Sequence, residues 1–148
     1  MFLYLAENAM EVQGAWTGCI FYGKEYGQYA GQTTYFDVRL SQEGDSIQGT
    51  SWDIGGIGVN PDPASISGET HDQNITFIKR YSSYHYYDKG VTSIDNSRPG
   101  PEIKYSGKFD KNQQCFEGVW VIKGVVKLFW LIPIKYTNKG TWSMKRKG

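Results

Sequence analysis

Apolar and polar residues alternate along most of the chain. Phe36, Val38 and Leu40 alternate with Tyr35, Asp37 and Arg39, the two-residue period of a half-buried strand. Ile103, Tyr105 and Phe109 do so against Lys104, Ser106 and Lys108. Phe116, Trp120 and Ile122 share a parity, as do Ile75 and Phe77, and as do Trp142, Met144 and Arg146. Polar, Gly-rich or Pro-rich groups separate these runs: Glu43-Gly44-Asp45, Asn60-Pro61-Asp62-Pro63, His71-Asp72-Gln73-Asn74, Asp110-Lys111-Asn112 and Asn138-Lys139-Gly140. The pattern predicts strands near 14–23, 33–42, 46–54, 64–70, 74–82, 102–109, 114–123 and 139–146. Val125 to Tyr136 either extends the seventh or adds another. Tyr84 to Pro101 shows no period and reads as a long connection at one rim. Residues 1–13 form a lead-in, helical or extended, in which Phe2, Leu3, Leu5 and Met10 seek a packing surface.

A bulky residue, any residue, then Gly recurs at Trp16-Thr17-Gly18, Ile47-Gln48-Gly49, Ile66-Ser67-Gly68, Tyr105-Ser106-Gly107 and Phe116-Glu117-Gly118. Spacing of two puts each pair on one face of its strand. Glycines facing inward from successive strands let a small barrel coil and leave room for Trp16, Trp120 and Trp142. The expected fold is therefore all-β: one antiparallel up-and-down barrel of about eight strands over residues 1–148.

Composition sharpens this. The chain has 148 residues, one domain's worth, and 16% of them are aromatic, so a core can form with few aliphatics. The 16 Lys and Arg balance 15 Asp and Glu, a net charge of +1, which gives no electrostatic reason to expect a nucleic acid or an anionic membrane as partner. The segment from Val119 to Ile134 is the most apolar. Lys123 and Lys127 interrupt it and Pro133 ends it, so it is too short and too charged for a membrane span. Either the lead-in covers Val125–Ile134 or a second copy does, as a homodimer. Two Cys, Cys19 and Cys115, read as free thiols of a reducing cytoplasm. His71 and His85 have no ligand partners at metal spacing, and neither a metal nor another cofactor is expected.

Gly14-Ala15-Trp16 at the first strand and Arg146 in the last resemble the calycin pattern of lipocalins, fatty-acid-binding proteins and avidins. The resemblance implies a lipocalin-like barrel in which Trp16 floors the closed end and a basic side chain, Arg146 or Lys145, packs across it. No single family is matched. Fatty-acid-binding proteins carry a helix pair after the first strand, and Gly23 to Gln32 is too short for one. The late Arg-x-Tyr that holds a carboxylate there is missing. Gly14-Ala15-Trp16-Thr17-Gly18 also resembles the opening of nitrobindin-type haem barrels, but no His follows His85 to ligate iron.

Polar residues on inward parity are the candidate chemistry. Asp53 shares parity with Ile47, Lys79 and Tyr81 with Ile75 and Phe77, Tyr22 with Trp16, and Tyr105 with Ile103. Asp53 and Lys79 either neutralise each other inside the barrel, with Tyr hydroxyls as partners, or meet water at the rim. The candidate ligand site is Tyr22, Asp53, Lys79, Tyr81, Tyr105 and Trp120. Tyr81, Tyr84, Tyr86 and Tyr87 with His85 form an aromatic cluster that stacks on a ligand or packs on the barrel wall. No Gly-x-Ser-x-Gly elbow is present, and Gly55-Gly56-Ile57-Gly58 lacks the Lys-Ser/Thr of a phosphate loop, so an enzyme is not expected. The expected function is binding of a small, partly apolar molecule. The alternative is an interaction module whose barrel is filled by its own side chains.

Overall fold

A computed structural model describes residues 10–56, 59–88, 91–97, 100–128 and 132–147. It contains β1 (Gly14–Tyr22), β2 (Thr33–Glu43), β3 (Ser46–Gly56), β4 (Ala64–His71), β5 (Asn74–Tyr81), β6 (Tyr84–Asp88), β7 (Val91–Asp95), β8 (Ile103–Asp110), β9 (Cys115–Leu128) and β10 (Ile132–Arg146). A short 3-10 segment (Lys24–Tyr29), kinked at Gly27, links β1 to β2.

Eight strands close into an antiparallel barrel in the order β1-β10-β9-β8-β5-β4-β3-β2. Neighbours in sequence are neighbours in space, except that the β6–β7 hairpin stands apart between β5 and β8. Closure pairs β1 with β10, from Trp16↔Arg146 to Tyr22↔Gly140. A closed sheet leaves no edge strand within the barrel proper.

The two ends differ in their connections. The β2–β3, β4–β5 and β8–β9 links are tight turns at the end where β1 begins and β10 finishes. The 3-10 helix, residues 59–63 and the β6–β7 hairpin all lie at the other end. There β9 and β10 also run on past the barrel. Their pairing continues to Leu128↔Ile132, whereas β8 pairs β9 only as far as Ile122 and β1 pairs β10 only as far as Gly140.

The inward parity is the expected one. Trp16, Phe36, Val38, Leu40, Ile47, Ile66, Ile75, Phe77, Tyr105, Phe116, Trp120, Trp142 and Met144 are buried in a single core. Glycine makes room for the large rings. A Cβ at Gly107 would lie 2.6 Å from the Trp142 ring. One at Gly140 would lie 2.7 Å from Trp120 and collide with the Phe21 carbonyl. Each indole then reaches the backbone beneath it. Trp142 Nε1 is shared between Ser106 and Val119 carbonyls, and Trp120 Nε1 between Phe21 and Thr141 carbonyls. Among the described residues no buried indole N–H is stranded.

Two expectations need correction. Asn138-Lys139-Gly140 is not a turn; it lies within β10, because Gly140 is needed opposite Trp120. The stretch from Tyr84 holds the β6–β7 hairpin rather than unpatterned chain. Of the two alternatives for Val125 to Tyr136, the first holds: residues 125–128 extend β9, and residues 132–136 lengthen β10 at its start. Residues 10–13 are not helical. Phe2, Leu3 and Leu5, and the side-chain packing of Val125–Ile134 and of Tyr84–Tyr87, lie outside the described residues.

Candidate functional site

The turn-closed end is built around Trp16, which is 1% exposed. Its Nε1 donates to the Val12 carbonyl at 2.8 Å, and its ring meets Phe116 at 5.4 Å. The register Trp16↔Arg146 sets the guanidinium across the indole, with Cζ 4.6 Å from the ring centroid. Of the two basic residues offered by the sequence, Arg146 takes this place. It also donates to the Gln13 and Glu11 carbonyls, at 2.9 and 2.7 Å, and so ties the lead-in across the floor.

The other end holds the charged cluster. Asp53 and Lys79 are not at a wetted rim. Their side chains are 3% and 4% exposed. Asp53 keeps its inward facing because the β-bulge of β3 lies beyond it. The β2–β3 register shifts between Tyr35↔Gly55 and Phe36↔Asp53, so Ile54 is the extra residue. The bulge falls after Asp53, and the parity from Ile47 reaches Asp53 intact.

The Asp53 carboxylate is well supplied with donors. Tyr81 donates its hydroxyl to Oδ1 at 2.8 Å and lies 3.0 Å from Oδ2. The Asn60 backbone N–H donates to Oδ2 at 2.9 Å. Lys79 Nζ stands 3.7 Å from Oδ1, a salt bridge too long for a hydrogen bond. The ammonium is instead surrounded by rings: Tyr81 at 5.1 Å, Phe36 at 5.2 Å and Tyr105 at 5.9 Å. Burial lowers the Lys79 pKa, and the Asp53 charge opposes that shift in part. Burial, and then the same negative charge, raise Tyr81 and Tyr105 well above the ordinary tyrosine value.

Tyr22 and Trp120 form an aromatic wall on the opposite strands. Their rings meet edge-on at 5.9 Å, and Tyr26 of the 3-10 helix packs on both. The Tyr22 hydroxyl is 2.7 Å from Thr34 Oγ1. Tyr105 stacks on Phe77 at 4.6 Å. The fold thus gathers Asp53, Lys79 and Tyr81 into one cluster with Tyr105 at its margin. Tyr22 and Trp120 form a second group.

Three polar residues of this region escaped the sequence reading. Asn60 pins its backbone N–H on Asp53, and its Oδ1 accepts from the Asp62 N–H. The Asn60-Pro61-Asp62 turn was visible in sequence, but its return to Asp53 was not. Ser51 and Thr34 are buried on inward parity, which the Asp53 and Phe36 spacing already implied. An interior cavity of about 10 Å³ is lined by Ser51, Lys79, Phe36, Tyr105 and apolar neighbours.

Among the described residues, no three His, Cys, Asp or Glu side chains gather closely enough to hold a metal ion. Cys19 and Cys115 are free thiols. Compared with known proteins, the chain matches no family model, no curated protein and no solved structure. The closed eight-stranded barrel and the Arg146–Trp16 floor are compatible with a calycin-like fold.

Proposed function

We propose that the barrel binds a small, partly apolar molecule at the end holding Asp53, Lys79 and Tyr81. The observation that carries this is the buried ion pair within a cage of rings. Two charges so deeply buried are poor stabilisers, since well-packed apolar residues of similar volume often serve the fold as well or better. Their presence here argues for recognition. Titratable groups shifted by burial and by one charge partner mark candidate sites for the same reason. Asp53, Lys79 and Tyr81 would orient the polar part of the ligand. Tyr22, Tyr26, Tyr105 and Trp120 would bury its apolar part.

The experiment is native mass spectrometry of protein purified from its own host, on the wild type and on Asp53→Asn. A retained small molecule, lost in a variant that still folds, supports the reading. Wild-type protein of bare chain mass, purified gently and repeatedly, speaks against it.

The second reading is an interaction module with a barrel filled by its own side chains. The small size of the interior cavity favours it. So does a group of exposed side chains on the outer wall of β1, β2 and β3, namely Phe21, Tyr35, Trp52 and Ile54.

A further inference from the structure

Ser51 and Lys79 come from β3 and β5, on either side of β4, and line the same interior cavity. Ser51 is 1% exposed, and its Oγ has no hydrogen-bond partner among the described residues. Lys79 has three N–H donors, and its carboxylate partner stands at 3.7 Å. A buried hydroxyl and a buried ammonium in this condition are costly, and native proteins satisfy such groups with a protein atom or an ordered water. The cavity measures about 10 Å³. That is the lower bound of what one water occupies, and a buried water typically uses two to four polar contacts. The other walls, among them Val38, Leu40, Ile66 and Met144, are apolar, apart from Tyr105, which also lines the cavity.

We propose that Lys79 Nζ and Ser51 Oγ hold one hydrogen-bond-accepting oxygen atom between them, inside the barrel. The ammonium donates to it, and the Ser51 hydroxyl donates or accepts. The oxygen supplies the close contact that Asp53, at its distance, does not. A water fits the space whole. A larger molecule fits only by a terminal carbonyl or carboxylate oxygen, and that second source rests on the binding function proposed above.

The test is a pair of high-resolution crystal structures, one of protein as purified and one of protein unfolded and refolded in ligand-free buffer. A single density peak about 2.7–3.2 Å from both Nζ and Oγ is expected in the refolded protein. An isolated peak in both preparations identifies water. A peak that is continuous with further density before refolding, and isolated afterwards, identifies a ligand oxygen that water replaces. The inference is overturned if neither preparation shows a peak, or if Ser51 turns to bond a protein atom and the cavity closes. Ser51→Val fills the space and removes the hydroxyl. Magnetic relaxation dispersion should then count one fewer long-lived internal water than in refolded wild type, and an unchanged count is fatal. A co-purifying molecule with a dry cavity would sink this inference alone. A hydrated cavity in a barrel that retains nothing would sink only the ligand reading.

Discussion

At one end of the barrel the Arg146 guanidinium lies 4.6 Å from the Trp16 ring; at the other the Lys79 ammonium lies 5.1 Å from the Tyr81 ring. The first cation is exposed, and two backbone carbonyls accept its N–H groups. Water and hydrogen bonds carry most of its charge, and its planar fork spans two carbonyls at once. The second is buried, with a carboxylate just beyond hydrogen-bond distance. The same contact therefore has two meanings. Arg146 latches the lead-in over a finished core. Lys79 is a charge that the fold must compensate.

The largest effect should come from the latch's floor. Trp16→Ala removes a buried indole and should cost about 3–5 kcal/mol in urea unfolding. A loss below about 1 kcal/mol would mean that the floor is not part of the core. Next comes the charged end. Asp53→Asn leaves the buried Lys79 without its partner and should cost about 3 kcal/mol. Adding Lys79→Met should recover part of that loss, and a double variant worse than the sum would contradict the comparison.

Gly140→Ala tests the ring packing between the two ends. The new methyl meets Trp120 and the Phe21 carbonyl, so a loss of about 1–3 kcal/mol is expected. Arg146→Gln keeps hydrogen-bonding capacity but loses the cation, and should cost only about 0.5–1 kcal/mol, as exposed cation–ring contacts do. If it costs as much as Asp53→Asn, the two cations are not different in kind.

The smallest effect is the pH profile. The Lys79 pKa is lowered in the fold, so the unfolded chain binds that proton more tightly. Stability then rises as pH climbs from the folded-state value toward 10.5, and falls as pH drops back through it. Tyr81 and Tyr105 act oppositely. The fold keeps their protons after the unfolded chain has lost them, so their contribution falls once pH passes 10.0. Melting curves of Lys79→Met should lack the rise that wild type shows below that point. An identical profile would mean that Lys79 titrates as a solvated lysine.

Much of this was legible because strand parity is binary. Once Ile47, Ile75 and Ile103 face inward, Asp53, Lys79 and Tyr105 must follow unless a bulge intervenes. What parity could not give was depth. Whether Asp53 met water depended on Asn60 returning to it, a contact between a strand and a loop that no periodicity encodes. The bulge at Ile54 was equally hidden, and one pair earlier it would have turned Asp53 outward. The Asn138-Lys139-Gly140 misreading has a related cause. A glycine that admits a tryptophan ring from the neighbouring strand looks, in one chain's sequence, like a glycine that turns.

The pairing of β1 with β10 has a consequence for how the chain assembles. Trp16 must find Arg146 from the far side of the sequence, whereas the other barrel strands pair with a near neighbour along the chain. Closing so long a loop is entropically late, so the meander should form first as an open sheet and the seam last. Once formed, the seam brings the two ends of the meander side by side, with the Lys147 N–H on the Ala15 carbonyl. The chain could accordingly be joined there and cut at a tight turn such as Asp110–Gln114, a circular permutation that keeps every barrel pair while moving the slow step to a different seam.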